Sequence, residues 1–380
     1  MDPAVGFSGL GDGTAGNPFQ ITTISQLDEV RQDLSANYIL MNDLDFNDSS
    51  MGNWVPLGFS ENEANITSFN GVFNGNNKII RHLVIDTEKG NLSGLFSAIG
   101  RGGSVSNLTI SNAQVSGNAY VVVLSGSVVS SVITNCHVMN SSVSSISCSG
   151  ILAGNHYDKS VIDFCTVENS SIFSVNEAGG IIGRNLDGII QNSNAVSVTV
   201  NSVGCAGGIS SLNQFDSLIE NCSVTGFVSG LESDAGGITA LSADSTIRNC
   251  RTSGTVQSGG LLQNTGGISG ISSNTSLQNC SSLMSVSATN FGNAGGIAGY
   301  AEGCFIENCY ALNDVINQTD SYSAKGNLSF GNCMALKFEN KIGYIAGRSV
   351  NNTIVNCYCR DGIESNKMIF FGRLPQNKKF

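Results

Sequence analysis

Cysteines at regular spacing have the greatest capacity for chemistry in this chain. Its 380 residues include 12 cysteines, most of them directly after an asparagine in a recurring Ile-x-Asn-Cys anchor. Clustered thiolates bind zinc, and suitably oriented thiols form disulfides. Only Cys304/Cys309 and Cys357/Cys359 approach the spacing of a zinc-binding pair. The anchor cysteines are Cys136, Cys165, Cys222, Cys250, Cys280, Cys309, Cys333 and Cys357.

Replacements at the anchor position favour a packing role over a chemical one. Leu108 and Ser193 occupy the position that cysteine fills elsewhere. A free cysteine commonly behaves as a small buried apolar residue. Neighbouring strands lie about 4.8 Å apart, but in-register side chains disfavour the roughly 90° torsion of a disulfide. We therefore predict buried, reduced thiols at the anchor, with no cofactor, and assign no role to Cys148, Cys205, Cys304 and Cys359.

Histidines and acidic residues offer few catalytic combinations. None of the histidines (His82, His137 and His156) lies in a His-Glu-x-x-His motif, and no Gly-x-Ser-x-Gly elbow accompanies a usable histidine. Polysaccharide lyases and hydrolases built on parallel β-helices carry carboxylates on one outer face. The acidic pairs that could act in this way are Asp158/Asp163, Asp216/Glu220 and Glu302/Glu307. A solvated face is the favoured interpretation of these pairs.

One acidic cluster has the residue types of a calcium site. Asp43, Asp45, Asn47 and Asp48 carry the oxygen ligands that Ca²⁺ prefers. The same residues are typical of a turn that follows a strand. We favour the turn and predict no metal.

The anchor recurs every 24 to 30 residues, which determines the architecture that must position these side chains. A fixed period of this length indicates stacked units that bury their apolar faces on one another. Between anchors, short β-branched segments are bounded by Gly, Ser, Asn and Asp, which is typical of strands joined by turns. The anchors begin at Val105, Ile133, Ile162, Ile190, Ile219, Ile247, Leu277, Ile306, Phe330 and Ile354.

The anchor asparagine predicts a bend. Ile at the first position and Cys at the fourth point to opposite faces of a flat strand, so both can face inward only if the chain bends between them. Asparagine tolerates the left-handed conformation that such a bend needs. Stacked asparagines could also form an amide ladder along the axis, whereas the alternative is that each is only a good turn former. The ladder candidates are Asn135, Asn192, Asn221, Asn249, Asn279 and Asn308.

Two outward-facing sets of residues follow from this repeat. Glu220 and Arg248 occupy the same position of successive anchors, which predicts a surface ion pair. Aromatic and arginine residues after the Gly-Gly-Ile strands could contact a glycan or protein ligand. The candidate binding residues are Tyr157, Arg184, Phe215 and Tyr300, and the alternative is that they are unrelated turn residues.

Charge and hydropathy exclude several classes of partner. The net charge is −11, which argues against nucleic acid and against anionic membrane surfaces. No run of about 18 apolar residues predicts a membrane span, and residues 1–3 do not begin a signal-peptide pattern.

Before the repeats, Ser25 could cap an amphipathic helix over residues 25–34 with Leu27, Val30 and Leu34 on its apolar face. Such a helix would cover the exposed first coil of a solenoid.

The N-terminal third and the repeats together resemble microbial surface proteins that carry GLUG repeats. The resemblance covers roughly residues 8–360 and departs at Asn74-Gly75-Asn76-Asn77-Lys78, where the family has Asp-Gly-Asn-Gly-His, and in the shorter repeats after Cys309. The matching segments are Gly11-Asp12-Gly13-Thr14, Asn17-Pro18-Phe19, Trp54-x-Pro56-Leu57-Gly58, Phe69-x-Gly71-x-Phe73, Gly179-Gly180-Ile181-Ile182-Gly183, Gly236-Gly237-Ile238 and Gly295-Gly296-Ile297-Ala298-Gly299. The resemblance implies a right-handed parallel β-helix and an adhesin-like or IgA-peptidase-like protein.

The sequence thus predicts one continuous all-β solenoid of ten to twelve rungs, similar to pectin lyase. Residues 1–90 form the N-terminal cap and irregular rungs, 91–360 the GLUG-type repeats, and 361–380 a tail. The expected function is non-enzymatic binding of a host or microbial surface glycan or protein by an extracellular or cell-surface monomer. The alternatives are an accessory region of an IgA-peptidase-like or polysaccharide-degrading enzyme, and a structural stalk.

Overall fold

The computed structural model describes residues 6–59, 67–87, 92–290, 292–313, 316–318, 334–335 and 344–359. Their fold is an all-β parallel solenoid of about eight turns with almost no helix. The predicted fold class is confirmed, and the number of turns is slightly smaller than the ten to twelve rungs expected. The predicted tail at residues 361–380 and the anchor at Cys333 lie outside the described residues.

One coil is built from short strands separated by bends. The coil that begins at Ser125–Val129 continues with Val132–Thr134, His137–Met139 and Ser142–Ser145, and ends at Cys148–Gly150. Each strand pairs in parallel with its equivalent one coil later, so that Ile133 lies beside Ile162 and Ile162 beside Ile190. This in-register pairing stacks equivalent residues of the repeat into straight rows along the axis.

Three sheets form the walls of the solenoid. The ten-stranded sheet contains Phe96–Ile99, Ser125–Val129, Ala153–Tyr157, Ile182–Leu186, Ser210–Gln214, Thr239–Ala243, Ser269–Ser273, Ala298–Glu302, Tyr344–Val350 and, antiparallel to the last of these, Met334–Ala335. The six-stranded sheet contains Cys148–Gly150, Glu177–Gly179, Cys205–Gly207, Ala235–Gly236, Asn264–Gly266 and Asn293–Gly295.

The 27-stranded sheet holds the anchors and bends around the remaining faces. It contains Phe19–Ile21, Tyr38–Leu40, Leu44–Asp45, Val72–Arg81, Val84–Thr87, Ser104–Ser111, Gln114–Gly117, Val132–Thr134, His137–Met139, Ser142–Ser145, Val161–Asp163, Thr166–Glu168, Ser171–Ser174, Ile189–Gln191, Asn194–Ser202, Leu218–Glu220, Ser223–Gly230, Thr246–Arg248, Arg251–Ser258, Ser276–Gln278, Ser281–Ser282, Ser285–Ala288, Phe305–Glu307, Tyr310–Ala311, Ile316–Gln318, Thr353–Val355 and Tyr358–Cys359.

The Gly-Gly-Ile corners join the six-stranded sheet to the ten-stranded sheet. A Cβ atom on Gly179 would lie 1.8 Å from the carbonyl oxygen of Ile182, and one on Gly236 would lie 1.8 Å from that of Thr239. No side chain fits at such a distance, so the corner requires glycine. The repeated glycines therefore determine where each coil turns toward the next.

The N-terminal end of the core is covered by a short helix and aromatic side chains. The helix spans Ile24–Glu29 and continues as a 3₁₀ turn at Val30–Gln32; a second 3₁₀ turn spans Phe46–Asp48. Leu27 and Val30 are fully buried in the same core as the first strands. Thr23, rather than the predicted Ser25, caps the helix, because its hydroxyl accepts a hydrogen bond from the backbone N–H of Gln26 at 3.2 Å.

Candidate functional site: the asparagine groove

The anchor asparagines place a left-handed residue at the same bend of successive coils. Their φ angles lie between 50° and 56° at Asn192, Asn221, Asn249, Asn279 and Asn308, which we name the asparagine row. Asparagine adopts this conformation more readily than most residues because its short polar side chain can bond locally. With the chain bent here, the isoleucine before the asparagine and the cysteine after it both enter the core, as at Ile247 and Cys250.

Side-chain amides of the asparagine row are hydrogen-bonded from coil to coil. Asn221 donates to the Oδ1 atom of Asn192 at 3.1 Å, and Asn249 donates to that of Asn221 at 3.1 Å. The chain continues through Asn279 at 3.1 Å and Asn308 at 3.2 Å. Each internal amide uses one N–H in this contact. The second N–H of Asn249 is directed to a carboxylate oxygen of Glu220 at 3.5 Å, whereas those of Asn221 and Asn279 remain available.

A phenylalanine interrupts the amide ladder. An earlier ladder links Asn135 to Asn107 at 2.8 Å, and Phe164 then occupies the next bend. Because Phe164 has no amide group, Asn192 donates instead to the Oδ1 atom of Asp163 at 2.8 Å. Phe164 has a φ angle of 50° and is 59% exposed. A bulky residue in the left-handed region is strained, and strain of this kind clusters at functional sites.

The bend opens outward into a shallow groove of about 440 Å³. We name it the asparagine groove. It runs parallel to the axis, because equivalent residues of successive coils line it. Its lining residues are Asn221, Cys222, Ser223, Asn249, Arg251 and Asn279.

The two strands that meet at the bend flank the groove, one on each side, and we refer to these flanking strands as its walls. On one wall, Glu220 and Arg248 lie side by side in the register and form an ion pair at 2.8 Å, which confirms the predicted contact. On the other wall, Ser223, Arg251 and Ser281 are successive neighbours. Tyr310 follows Ser281 by one coil and is 41% exposed. The surface beside the groove is therefore polar, and an aromatic residue, Phe164 or Tyr310, lies near each end of the asparagine row.

The anchor thiols lie on the inner side of the same bend. Each thiol donates to the carbonyl two residues earlier, as Cys250 does to Arg248 at 3.3 Å, and lies 3.7 Å from the Ile219 carbonyl of the preceding coil. Burial raises the pKa of the Cys165 and Cys250 thiols. The thiols are free and buried at Cys136, Cys165, Cys222, Cys250, Cys280, Cys309 and Cys357. Their chemistry is thus hydrogen bonding and packing.

The four binding residues proposed from sequence do not form one site. Arg184 and Tyr300 lie in one row of the ten-stranded sheet, but that row also contains Leu212, and Phe215 lies beyond it in a turn. Tyr157 is the last residue of its strand and is half-buried. The glycine-based alignment does not locate the end of each strand, so these residues occupy different positions of the repeat, and their role in binding stays a prediction.

Local contacts occupy two of these four residues. Arg184 forms a bidentate pair with Glu177, with N–O distances of 2.7 Å and 2.6 Å. The hydroxyl of Tyr300 donates to Glu302 at 2.7 Å, and the guanidinium of Arg348 lies 5.3 Å from the centre of its ring. These contacts make Arg184 and Tyr300 parts of the surface framework.

Several of the candidate acidic residues also have ionic or hydrogen-bond partners within the protein. Asp158 lies 3.6 Å from Arg101, and Asp163 bonds to Asn192 as described above. In the candidate calcium cluster, Asp43 bonds to the backbone of Ile79 at 2.9 Å and Asp45 to the ring of His82 at 2.7 Å. These hydrogen bonds lower the pKa of both carboxyl groups. Within the described ranges, no three His, Cys, Asp or Glu side chains come together in a way that could hold a metal.

A second polar row, which the sequence reasoning missed, lies inside the solenoid. His156 bonds to Asn185 at 2.8 Å, Asn185 donates to Asn213 at 2.9 Å, and Asn213 donates to Ser245 at 3.0 Å. His156 is fully buried, and burial lowers its pKa to about 4. The sequence feature that could have revealed this row is the recurrence of a polar residue three positions after Ile182 and Ser210.

A comparison of the sequence with family profiles identifies one repeat. The profile named "The GLUG motif" matches residues 292–316. The chain carries the GLUG motif. The matched segment contains Asn293–Gly295, Ala298–Glu302, Phe305–Glu307 and Tyr310–Ala311, so the GLUG motif corresponds to one turn of the solenoid.

Two curated proteins are similar to part of this chain. Halomucin of Haloquadratum walsbyi is 33% identical over 113 residues, which are 28% of this chain and 1% of that protein. A protein of Evansella cellulosilytica, provisionally named a Gly-rich membrane protein, is 37% identical over 105 residues, 26% of this chain and 12% of that protein. The chain therefore spans only a small part of the length of these relatives.

A search of solved structures returns a chain that aligns with most of this one. The crystal structure of a Bacteroides ovatus protein, provisionally named an immunoglobulin A1 protease, is 16% identical with a TM-score of 0.44. The alignment covers 90% of this chain and 86% of that one. Among the described helices, none has the length and apolar character needed to cross a membrane.

Proposed function

We propose that this solenoid is a non-enzymatic binding region of an extracellular or cell-surface protein and that it binds a glycan in the asparagine groove. The observation that carries the proposal is the groove itself, in which one hydrogen-bonding amide recurs at every coil. Sugar hydroxyls both donate and accept, and an asparagine side chain offers both functions. The spacing of about 4.8 Å between strands is comparable with the length of one sugar unit in an extended polysaccharide.

Aromatic residues near the ends of the asparagine row strengthen this proposal. Phe164 precedes Asn221 by two coils, about 10 Å at the usual strand spacing. Its exposed ring offers a flat apolar surface, and ring faces of this kind stack on the apolar faces of sugars. A phenylalanine that interrupts a ladder and adopts a strained conformation requires a compensating role. Stacking on a bound glycan would be such a role.

A surface location is supported by the resemblance to GLUG-repeat surface proteins and by the name of the Evansella relative, which describes a membrane protein.

A second candidate function is an accessory region of an IgA-peptidase-like or polysaccharide-degrading enzyme. The relatives are consistent with a region of a longer protein, since the matched segments make up only 1% and 12% of those proteins. The sequence of the full-length protein separates the two, because an accessory region requires a protease or polysaccharide-degrading domain in the same protein, whereas our proposal requires none.

The binding proposal has a matched pair of test variants. Phe164→Asn installs the residue that fills the same bend in neighbouring coils, so it should fold. Phe215→Asn makes the same change at another exposed, left-handed phenylalanine, which has a φ angle of 60° and is 63% exposed. After a glycan array has identified a ligand, calorimetry should show that Phe164→Asn weakens binding about fivefold, or about 1 kcal/mol.

Phe215→Asn should leave the affinity unchanged. Loss of binding in Phe215→Asn alone would instead support the turn residues proposed from sequence. An array without any bound glycan, or equal affinities for the wild type and Phe164→Asn, would contradict the asparagine groove as the site.

A further inference from the structure

We propose that Arg251 makes the asparagine groove selective for oligosaccharides that carry carboxylate groups. This inference rests on the proposed glycan-binding function and identifies the class of glycan. The structural basis is an arginine that lines the groove and has no ionic partner among the described residues.

Neighbours of Arg251 leave its guanidinium group accessible. Ser223 lies beside it on the preceding coil and Ser281 on the following coil, both short and uncharged. The side chain of Arg251 is exposed, and its backbone N–H bonds to the carbonyl of Cys222 at 3.0 Å. A guanidinium presents donors in a planar fork that matches a carboxylate in a bidentate contact. Its surroundings therefore leave space for an anionic group of a ligand.

The acidic residue closest in the register is already neutralised. Glu220 pairs with Arg248 at 2.8 Å through one oxygen, and its other oxygen lies 3.5 Å from the amide of Asn249. The next carboxylate along this wall is Glu307, two coils from Arg248. Arg251 thus leaves a local positive charge on a chain whose net charge is −11.

The amides of the groove can complete the site. Asn221 uses one N–H toward Asn192, and Asn279 uses one toward Asn249. The second N–H of each can donate to a hydroxyl or carboxylate oxygen of the ligand. A uronate oligomer would therefore meet a cation at Arg251 and neutral donors on the coils before and after it. A neutral oligosaccharide would meet only the donors.

The experiment compares the same sugar backbone with and without charge. The probes are oligomers of galacturonate, glucuronate and mannuronate, and their methyl esters, titrated calorimetrically against the full chain. We expect one of the free acids to bind roughly five- to tenfold more tightly than its ester, since charge-assisted hydrogen bonds are about twice as strong as neutral ones. Raising the salt concentration from about 50 to 200 mM should weaken only the acid, because salt screens an exposed charge.

Variants assign the preference to one side chain. Arg251→Gln should abolish the difference between acid and ester, and Arg251→Lys should keep part of it, since lysine retains the charge without the fork. Arg101→Gln is the matched control, because Arg101 is an arginine with an 81% exposed side chain that does not line the groove. It should leave both affinities unchanged.

Each result that contradicts the proposal has a different pattern of binding. Equal binding of acid and ester that still depends on Phe164 would overturn the selectivity and leave the glycan-binding function standing. A preference for the acid that persists in Arg251→Gln would also overturn the role of Arg251. Binding of neither form would overturn the uronate preference, and a full glycan array with no ligand would contradict the function itself.

Discussion

Single residues decide how polar groups are tolerated inside this solenoid. His156 is fully buried and contacts Asn185 through Nδ1 at 2.8 Å, and its Nε2 atom has no hydrogen-bond partner among the described residues. An imidazolium at this position would be a desolvated charge, which is why burial lowers the pKa to about 4. The ring is therefore neutral at physiological pH, although the same ring in the unfolded chain takes up a proton below a pH of about 6.5.

This difference predicts a pH-dependent loss of stability. Between a pH of about 6.5 and 4 the unfolded chain binds more protons than the folded chain, so the free energy of unfolding falls as the pH is lowered. At pH 5, the contribution of His156 should be about 2 kcal/mol smaller than at pH 7. Urea unfolding at both pH values measures it, and pH 5 stays above the isoelectric point of about 4.6.

The control for His156 is His156→Asn, because asparagine occupies the same row at positions 185 and 213. This variant should lose about 2 kcal/mol less than the wild type between pH 7 and pH 5. Equal losses in the two proteins would show that other groups determine the acid sensitivity.

At the scale of the bend, conformation and hydrogen bonding both stabilise the asparagine row. Asn249 combines a φ angle of 56° with amide contacts to Asn221 and Asn279 at 3.1 Å. Alanine loses both advantages, whereas glycine keeps the left-handed conformation and loses only the contacts. We expect Asn249→Ala to cost about 2 to 3 kcal/mol and Asn249→Gly about 1 kcal/mol less than that.

Urea unfolding of the two Asn249 variants separates the contributions. If both variants lost the same free energy, the ladder would account for the whole effect and the bend would be unstrained. If Asn249→Gly were as stable as the wild type, the amide contacts would contribute nothing.

The coil and the groove differ in how far the sequence could predict them. The anchor period and the opposite parity of its isoleucine and cysteine are local properties, so they predicted the stacked strands and the left-handed bend at Asn249 and its equivalents. The groove depends on side chains from three coils, Asn221, Asn249 and Asn279. Their concave arrangement arises only when the coils stack, so it cannot be predicted from a single repeat. Phe164 breaks the anchor pattern in the sequence, and only its exposure and its conformation identify it as a candidate contact.

For the whole molecule, the ends of the stack are the critical surfaces. A solenoid coil is stabilised by its neighbours, so the first coil needs another cover. The N-terminal core continues from the helix into a series of rings, with centroids 5.5 Å apart for Phe19 and Tyr38 and 5.0 Å apart for Phe69 and Phe96. The sequence predicted this cap from an apolar face of the helix. It did not predict the change to a 3₁₀ turn at Val30, because the helical spacing of Leu27, Val30 and Leu34 continues across that point.

Two charges on the buried face of the helix should therefore expose the first coil. Leu27→Asp together with Val30→Asp places carboxylates at two fully buried positions, which should destabilise the protein by about 5 kcal/mol or more. The exposed strand edge then offers a pairing surface to other chains, so sedimentation velocity should detect aggregates. Ser25→Asp together with Gln32→Asp adds the same charge at exposed positions of the same element and should remain monomeric. A monomeric Leu27/Val30 variant with unchanged melting would show that the stack does not need this cap.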